Sequence, residues 1–242
     1  MSLLKITILI DDFNGAVKGF IPSYGIAALI EIDGKKILFD TGTKIDPLIA
    51  NFEVYGVTPT ELDAVILSHN HYDHTDGLPY ILKHNVNIPV YIHKDWEKAA
   101  SFKGFQVPQK NKVVIQRARQ LKEITSKIFL TNSYYSSDYG GVYEHACYIK
   151  ANDSYILLCG CCHPGLNRFL KDREILNIPK NASLHLIGGM HGFKFNKNEA
   201  EELKPIIKSV NLFHCTMNAK IFREQFGEIC SLGILGKTIK FP

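Results

Sequence analysis

No apolar run in this chain approaches the length of a bilayer-spanning helix, and no short-period repeat or low-complexity tract is visible. The apolar start is cut short by Asp11-Asp12 and no cleavage site follows, so a secretory leader is not expected. The six cysteines lack the spacing of a secreted disulfide framework, and three of them fall together as Cys159, Cys161 and Cys162. Free thiols in a reducing compartment, the cytoplasm, are therefore expected. A net charge of +4 is too small to argue for nucleic acid and favours anionic small molecules only mildly. Also absent are a nucleophilic-serine elbow, a glycine-rich phosphate loop and a dinucleotide fingerprint. The expected partner is a small-molecule substrate, with no nucleic acid and no membrane. The oligomeric state stays open.

What is present is an ordinary globular composition, 45% hydrophobic and 21% charged. At 242 residues it is the size of one large α/β domain, taken as spanning 1–242. The chemistry concentrates in Ser68-His69-Asn70-His71-Tyr72-Asp73-His74-Thr75-Asp76-Gly77-Leu78, which holds three of the ten histidines within six positions. The apolar, β-branched run Ala64-Val65-Ile66-Leu67 precedes it and reads as a buried strand. Ligand-binding residues of open α/β sheets sit just beyond the carboxyl ends of strands, where this cluster falls. A tight turn can aim His69 and His71 at one point, and Asp73 and His74 at a second a few ångströms away. Imidazole with a nearby carboxylate suits a divalent cation, and two metals about 3.5–4 Å apart form a hydrolytic arrangement.

Taken in order, the chain alternates strands and helices. The pattern predicts a strand over 4–10, then two strands over 26–32 and 36–39 joined by Asp33-Gly34, a hairpin signal. A helix follows over 46–55, then a capping box at Thr58-Pro59-Thr60-Glu61 with proline at the first helical position. Beyond the histidine cluster the pattern predicts a helix over 78–83, a strand over 88–93 and a helix over 96–102. The second half predicts strands over 124–131, 143–150 and 154–159, with a polar, tyrosine-rich loop over 132–141. A helix is expected over 165–176, a strand over 183–187, and a helix over 198–210 that Pro205 kinks or restarts. The last elements are a strand over 211–213, a helix over 218–226, and one or two strands within 229–241. His163 and His214, like His69, follow apolar strands. His191 follows Gly188-Gly189, a pair that lets the backbone approach closely, and could act as general acid or substrate contact.

His-x-His-x-Asp-His after an apolar strand resembles the metallo-β-lactamase superfamily signature. The resemblance extends through 25–31, Ile37-Leu38-Phe39-Asp40-Thr41-Gly42, Gly160-Cys161-Cys162-His163-Pro164-Gly165, Gly188-Gly189-Met190-His191 and His214-Cys215-Thr216. Together these look like the branch of dihydropterin-ribofuranosylaminobenzene-phosphate synthase-like proteins. The resemblance implies an αββα sandwich of two facing sheets with outer helices and metals at one edge. It assigns His69, His71 and His163 to one metal, and Asp73, His74 and His214 to the other, with Asp40 supporting the histidine loop. The cofactor implied is one or two divalent ions, zinc foremost. The family's aspartate after a strand-end glycine is missing at Gly160. His163 takes that role, or Cys161 contributes, or the second metal is weak or absent; His145 is a further candidate ligand. Asp76, Cys162, Met190 and Met217 also depart from the family pattern, and they border the cleft. The implied function is a metal-dependent hydrolase that uses metal-bound hydroxide, with Asp73 orienting the nucleophile and His191 beside it. The alternatives are a synthase joining a pterin to a ribofuranosylaminobenzene phosphate, and a metal-bound sensor without turnover.

Overall fold

A computed structural model describes residues 3–98 and 101–242. Two seven-stranded mixed sheets face each other. The first runs, in spatial order, Thr238–Phe241, Leu4–Ile10, Ala27–Ile32, Lys35–Phe39, Ala64–Ile66, Val90–His93 and Lys112–Ile115. Its first four strands pair antiparallel and the rest parallel. The second sheet mirrors this arrangement. Cys230–Leu232, Ile207–Leu212, Ser183–Gly188 and Ser154–Cys159 run parallel, and Cys147–Ala151, Ile128–Leu130 and Arg119–Gln120 continue antiparallel.

The period-2 geometry of a strand explains why these runs are apolar throughout. Ile6, Ile8, Ala28, Ile30, Phe39 and Ile66 point between the sheets and meet Ile128, Ile149, Ile156 and Leu158. Their neighbours Leu29, Leu38 and Val65 point outward, under Leu48 and Phe52 of helix Ile45–Tyr55 and Ile81 of helix Leu78–His84. On the far side Tyr148, Leu157, Leu184 and Leu186 meet Phe169 of helix Leu166–Ile175 and Phe222 of helix Ala219–Phe226. The result is the αββα sandwich. The parallel strands of both sheets end at one edge, which is where the chemistry-bearing residues follow.

The departures from expectation are local. Helix Lys197–Leu203 begins at Asn196, whose capping box with Glu199 outcompetes the same Asn-x-x-Glu spacing two residues later. Residues beyond Pro205 form strand Ile207–Leu212 instead of more helix. The expected helix over 96–102 is turns where described; Ala99 and Ala100 lie outside the described residues. The Thr58 capping box forms, over a single 3-10 turn, Pro59–Glu61. The run 143–150 breaks at His145-Ala146 into Val142–Glu144 and Cys147–Ala151. Strand Tyr134–Ser136 pairs with Val142–Glu144 inside what the polar composition suggested was loop.

One glycine ties the first sheet to the site edge. Gly25 has φ +105, and a Cβ there would lie 2.0 Å from the Asp73 carbonyl oxygen. Gly25→Ala should cost about 2–4 kcal/mol through clash and backbone strain. The measurement is a denaturant melt, in which an unchanged midpoint would refute this close approach.

Candidate metal centre

The histidine cluster folds as its spacing suggests. Residues 67–70 leave strand Ala64–Ile66 with bends at Ser68 and Asn70, and the extended His71 is the N-cap of the one-turn helix Tyr72–Thr75. The bent segment presents His69 and His71 together, while the helical turn presents Asp73 and His74. Asp40, at the end of the adjacent strand, anchors the loop. Its Oδ1 accepts the Ser68 N–H at 2.7 Å; its Oδ2 accepts the Ser68 hydroxyl at 2.7 Å and His74 Nδ1–H at 2.7 Å. The Ser68 oxygen in turn lies 2.9 Å from His69 Nδ1. Gly160 lets the second sheet reach this point, since a Cβ there would sit 2.2 Å from Ser68 Oγ.

Two donor groups gather around this loop, and a third set, Asp138, His163 and His191, shares His163 with one of them. His69, His71 and His163 offer ring nitrogens all within 4.8 Å of one another, and so do the donor atoms of Asp73, His74, Cys161 and His214. The groups stand side by side, with the rings of His69 and His74 centred 4.0 Å apart. Each ring of the second group has its outer nitrogen held by a carboxylate: His74 Nδ1 on Asp40, and His214 Nδ1 on Asp12 at 2.7 Å. That leaves His74 Nε2 at 3.2 Å from Cys161 Sγ and His214 Nε2 at 3.1 Å from Asp73 Oδ2. In the first group the buried Nε2 atoms of His71 and His163 have no hydrogen-bond partner. Unpartnered buried nitrogens converging on one point, with outer nitrogens held by carboxylates, are what ligating histidines require. The donor set fits divalent metal.

The two groups differ electrostatically. Burial keeps the first group neutral: His69 lies well below its ordinary value, His71 at about 4 and His163 at about 3. Burial also opposes charge on His74, but Asp73 and Asp40 outweigh it and hold that ring well above its ordinary value. His214, likewise buried, is raised to about 9 by Cys215, Asp12 and Asp73. Burial pushes the Cys161 thiol well up. A cation entering the second group must therefore displace protons, whereas the first offers free lone pairs.

Cys161 and His163 are placed by a carboxylate that the sequence reading passed over. Glu144 is fully buried and accepts the backbone N–H groups of Cys161 at 2.9 Å, Cys162 at 2.8 Å and His163 at 2.6 Å. Burial raises it to about 7 even against these three bonds. The loop it grips carries one donor of each group. Backbone strain also concentrates here. Of nine non-glycine residues with positive φ among those described, six border the site: Asp40, Phe102, Tyr139, Cys162, His191 and Cys215. Strain of this kind persists where surrounding structure enforces it, characteristically at functional sites.

A family model described as the metallo-beta-lactamase superfamily matches residues 22–141, which carry the whole histidine loop and its Asp40 anchor. The chain belongs to the metallo-beta-lactamase superfamily. Superfamily relatives include the 7,8-dihydropterin-6-methyl-4-(beta-D-ribofuranosyl)-aminobenzene-5'-phosphate synthase of Methanocaldococcus jannaschii, 28% identical over 98% of this chain and 97% of that protein. A hydroxyacylglutathione hydrolase of Xylella fastidiosa is 35% identical, over only 32% of this chain and 28% of its own length. Among solved structures, a metal-dependent hydrolase of the beta-lactamase superfamily superposes with TM-score 0.71 at 21% identity, covering 98% of each chain. The metallo-beta-lactamase fold protein YhfI from Bacillus subtilis superposes at 0.65 with 16% identity, over 99% of this chain and 100% of that one. These structural likenesses establish the fold.

All six residues expected as ligands converge as two groups, and Cys161, just after Gly160, joins the second. His145 does not: its Nε2 binds the Leu67 carbonyl at 2.9 Å, bracing the strand end. His191 stands beside the first group, its ring centred 4.5 Å from that of His163, with Asp138 3.7 Å from its Nε2. Sequence reasoning missed Asp12, Asp138 and Glu144. Only Asp12 carried a signal, a carboxylate at a strand's carboxyl end.

Two outcomes are expected. Zinc affinity at the second group should climb with pH through about 9, where His214 loses its proton, and go on climbing as His74 and Cys161 lose theirs, while the first group's stays flat above about 4. Competitive chelator titrations across pH read both, and a flat profile for each would contradict the charge assignment. Glu144→Gln, whose amide cannot accept three N–H bonds, should weaken metal binding about 10–100-fold at both groups together. Loss at one group alone would show that the loop does not couple them.

Proposed function

We propose that this superfamily member is a metal-dependent hydrolase acting on a small substrate held against both donor groups. The observation that supports this most is the convergence of two donor groups on one cavity of about 150 Å³, lined by His71, Asp73, Cys161, His163 and His191 among others. Divalent ions, zinc foremost, would be held by His69, His71 and His163 and by Asp73, His74, His214 and Cys161. Such ions bring water to ionise near neutral pH and polarise a carbonyl or phosphoryl oxygen. The chain's own residues supply the rest. Asp73 stays ionised; burial opposes its charge, but His74 and His214 hold it well below the usual carboxylate range. It thereby orients a nucleophile by accepting a hydrogen bond. His191 is half-buried at the cavity wall, and its contact with Cys215, aided by Asp138, raises it above its ordinary value. It holds a proton near neutrality and donates it to the leaving group. Among the described residues no lysine or arginine lines this cavity, so any negative charge on the substrate is met at the metal positions.

The full-length similarity to the synthase favours a second reading, a transferase-like joining of a pterin to a ribofuranosylaminobenzene phosphate. A hydrolase turns over single substrates from a panel of phosphodiesters, lactams and thioesters. A synthase stays silent until a pterin diphosphate and the ribofuranosylaminobenzene phosphate are supplied together, and a metal-bound sensor stays silent in both assays.

His191→Ala should keep metal and fold and lower turnover about 10²–10⁴-fold, the range of a positioned general acid. Unchanged turnover would remove His191 from the chemistry. Metal lost in step with activity would make it a ligand instead.

A further inference from the structure

The mouth of the cavity is built differently from its floor. Tyr24, Tyr72, Phe102 and Tyr139 come from four separate segments and form an arc of neighbouring rings. Ring centroids lie 6.2 Å apart for Tyr24–Tyr72, 6.4 Å for Tyr72–Phe102 and 5.7 Å for Phe102–Tyr139. The arc closes onto the donor groups at both ends. Tyr24 stands edge-on to His214 at 5.1 Å, and Tyr139 lies 6.0 Å from His163 and 5.6 Å from His191. Three of these rings are left in water, Tyr24 at 49% exposure, Phe102 at 58% and Tyr139 at 53%. Singly exposed apolar residues are normal; a contiguous group around one opening marks a binding site. Two of them also sit where side chains are disfavoured, Phe102 at φ 58 and Tyr139 at φ 50. Glycine would relieve that cost, and neither ring is buried enough to repay it through core packing.

The opening is a concavity and not a flat face, which favours a small occupant over a protein partner. The whole cavity, mouth and floor together, is about 150 Å³, which limits what enters through the mouth to something no larger than a single ring. Among the described residues no lysine or arginine lines it, and the surface its mouth offers an occupant is aromatic.

We infer that the Tyr24–Tyr72–Phe102–Tyr139 arc is a subsite for one planar aromatic ring of the substrate, with Phe102 and Tyr139 setting the preference for a flat ring over a saturated one. What the ring's substituent meets rests on the metal-dependent reading above; the ring preference itself does not.

The test compares, on the full metal-loaded chain, a matched neutral pair, benzamide and cyclohexanecarboxamide, with inorganic phosphate as a probe of the metal positions. Affinities come from calorimetry or ligand-detected NMR. Benzamide should bind about tenfold tighter than its saturated counterpart, the scale of one aromatic contact. Phe102→Gly and Tyr139→Gly should each erase most of that preference, leaving metal content and phosphate affinity unchanged and the melting temperature unchanged or higher. Equal binding of the two amides by the parent protein would overturn the subsite. So would a preference that survives both variants, or a melting temperature that collapses in both and marks the rings as structural. Ring preference without phosphate binding would support the subsite and count against the metal reading alone.

Discussion

The site depends on one buried carboxylate. Asp40 is fully buried and receives three hydrogen bonds, two from Ser68 and one from His74. The Ser68 hydroxyl passes the constraint to His69, so one side chain orients a donor of each group. Removing one partner of a buried ionic pair costs about 3–5 kcal/mol, because the other charge is left without compensation. The arrangement therefore forms as a unit. It also explains why Gly160 must be glycine, since this knot of atoms lies where its side chain would go.

From that anchor the two groups diverge in character. The first is three neutral imidazoles, an open set with room for water or substrate. The second carries Asp73, two charged histidines and a buried thiol. Lack of the usual aspartate suggested a weak second position. Cys161 supplies a fourth donor there, and a thiolate among nitrogen ligands suits zinc over harder ions. Glu144 holds the loop that makes this possible, so one carboxylate places a donor of each group.

What could be read beforehand was what lies close together in sequence. Residues 64–66 form the expected strand because both sheet faces are buried, and residues 69–74 are near enough in sequence for their donor atoms to gather. His163, His191 and His214 were legible because each follows an apolar strand, and strand ends gather at one edge. Of the partners that tune them, Asp40 was expected through the resemblance, while Asp12 was not, since it meets His214 across 202 positions. The aromatic arc was hidden for the same reason, with Phe102 at the end of an expected helix and Tyr139 in a segment whose composition says only loop. The misplaced cap at Asn198 shows a different limit, two equivalent signals two residues apart with tertiary packing choosing between them.

The central claim is that Asp40 organises two adjacent metal positions, and the most direct measurement is metal stoichiometry and affinity in the parent chain and in Asp40→Asn. Asparagine can still accept the Ser68 N–H at Oδ1, but the amide nitrogen that replaces Oδ2 can accept neither the hydroxyl nor His74 Nδ1–H. The account predicts two ions per parent chain. In the folded variant it predicts about 10–100-fold weaker binding at the His74 position, with a smaller loss at His69. Two ions retained at parental affinity in Asp40→Asn would contradict it.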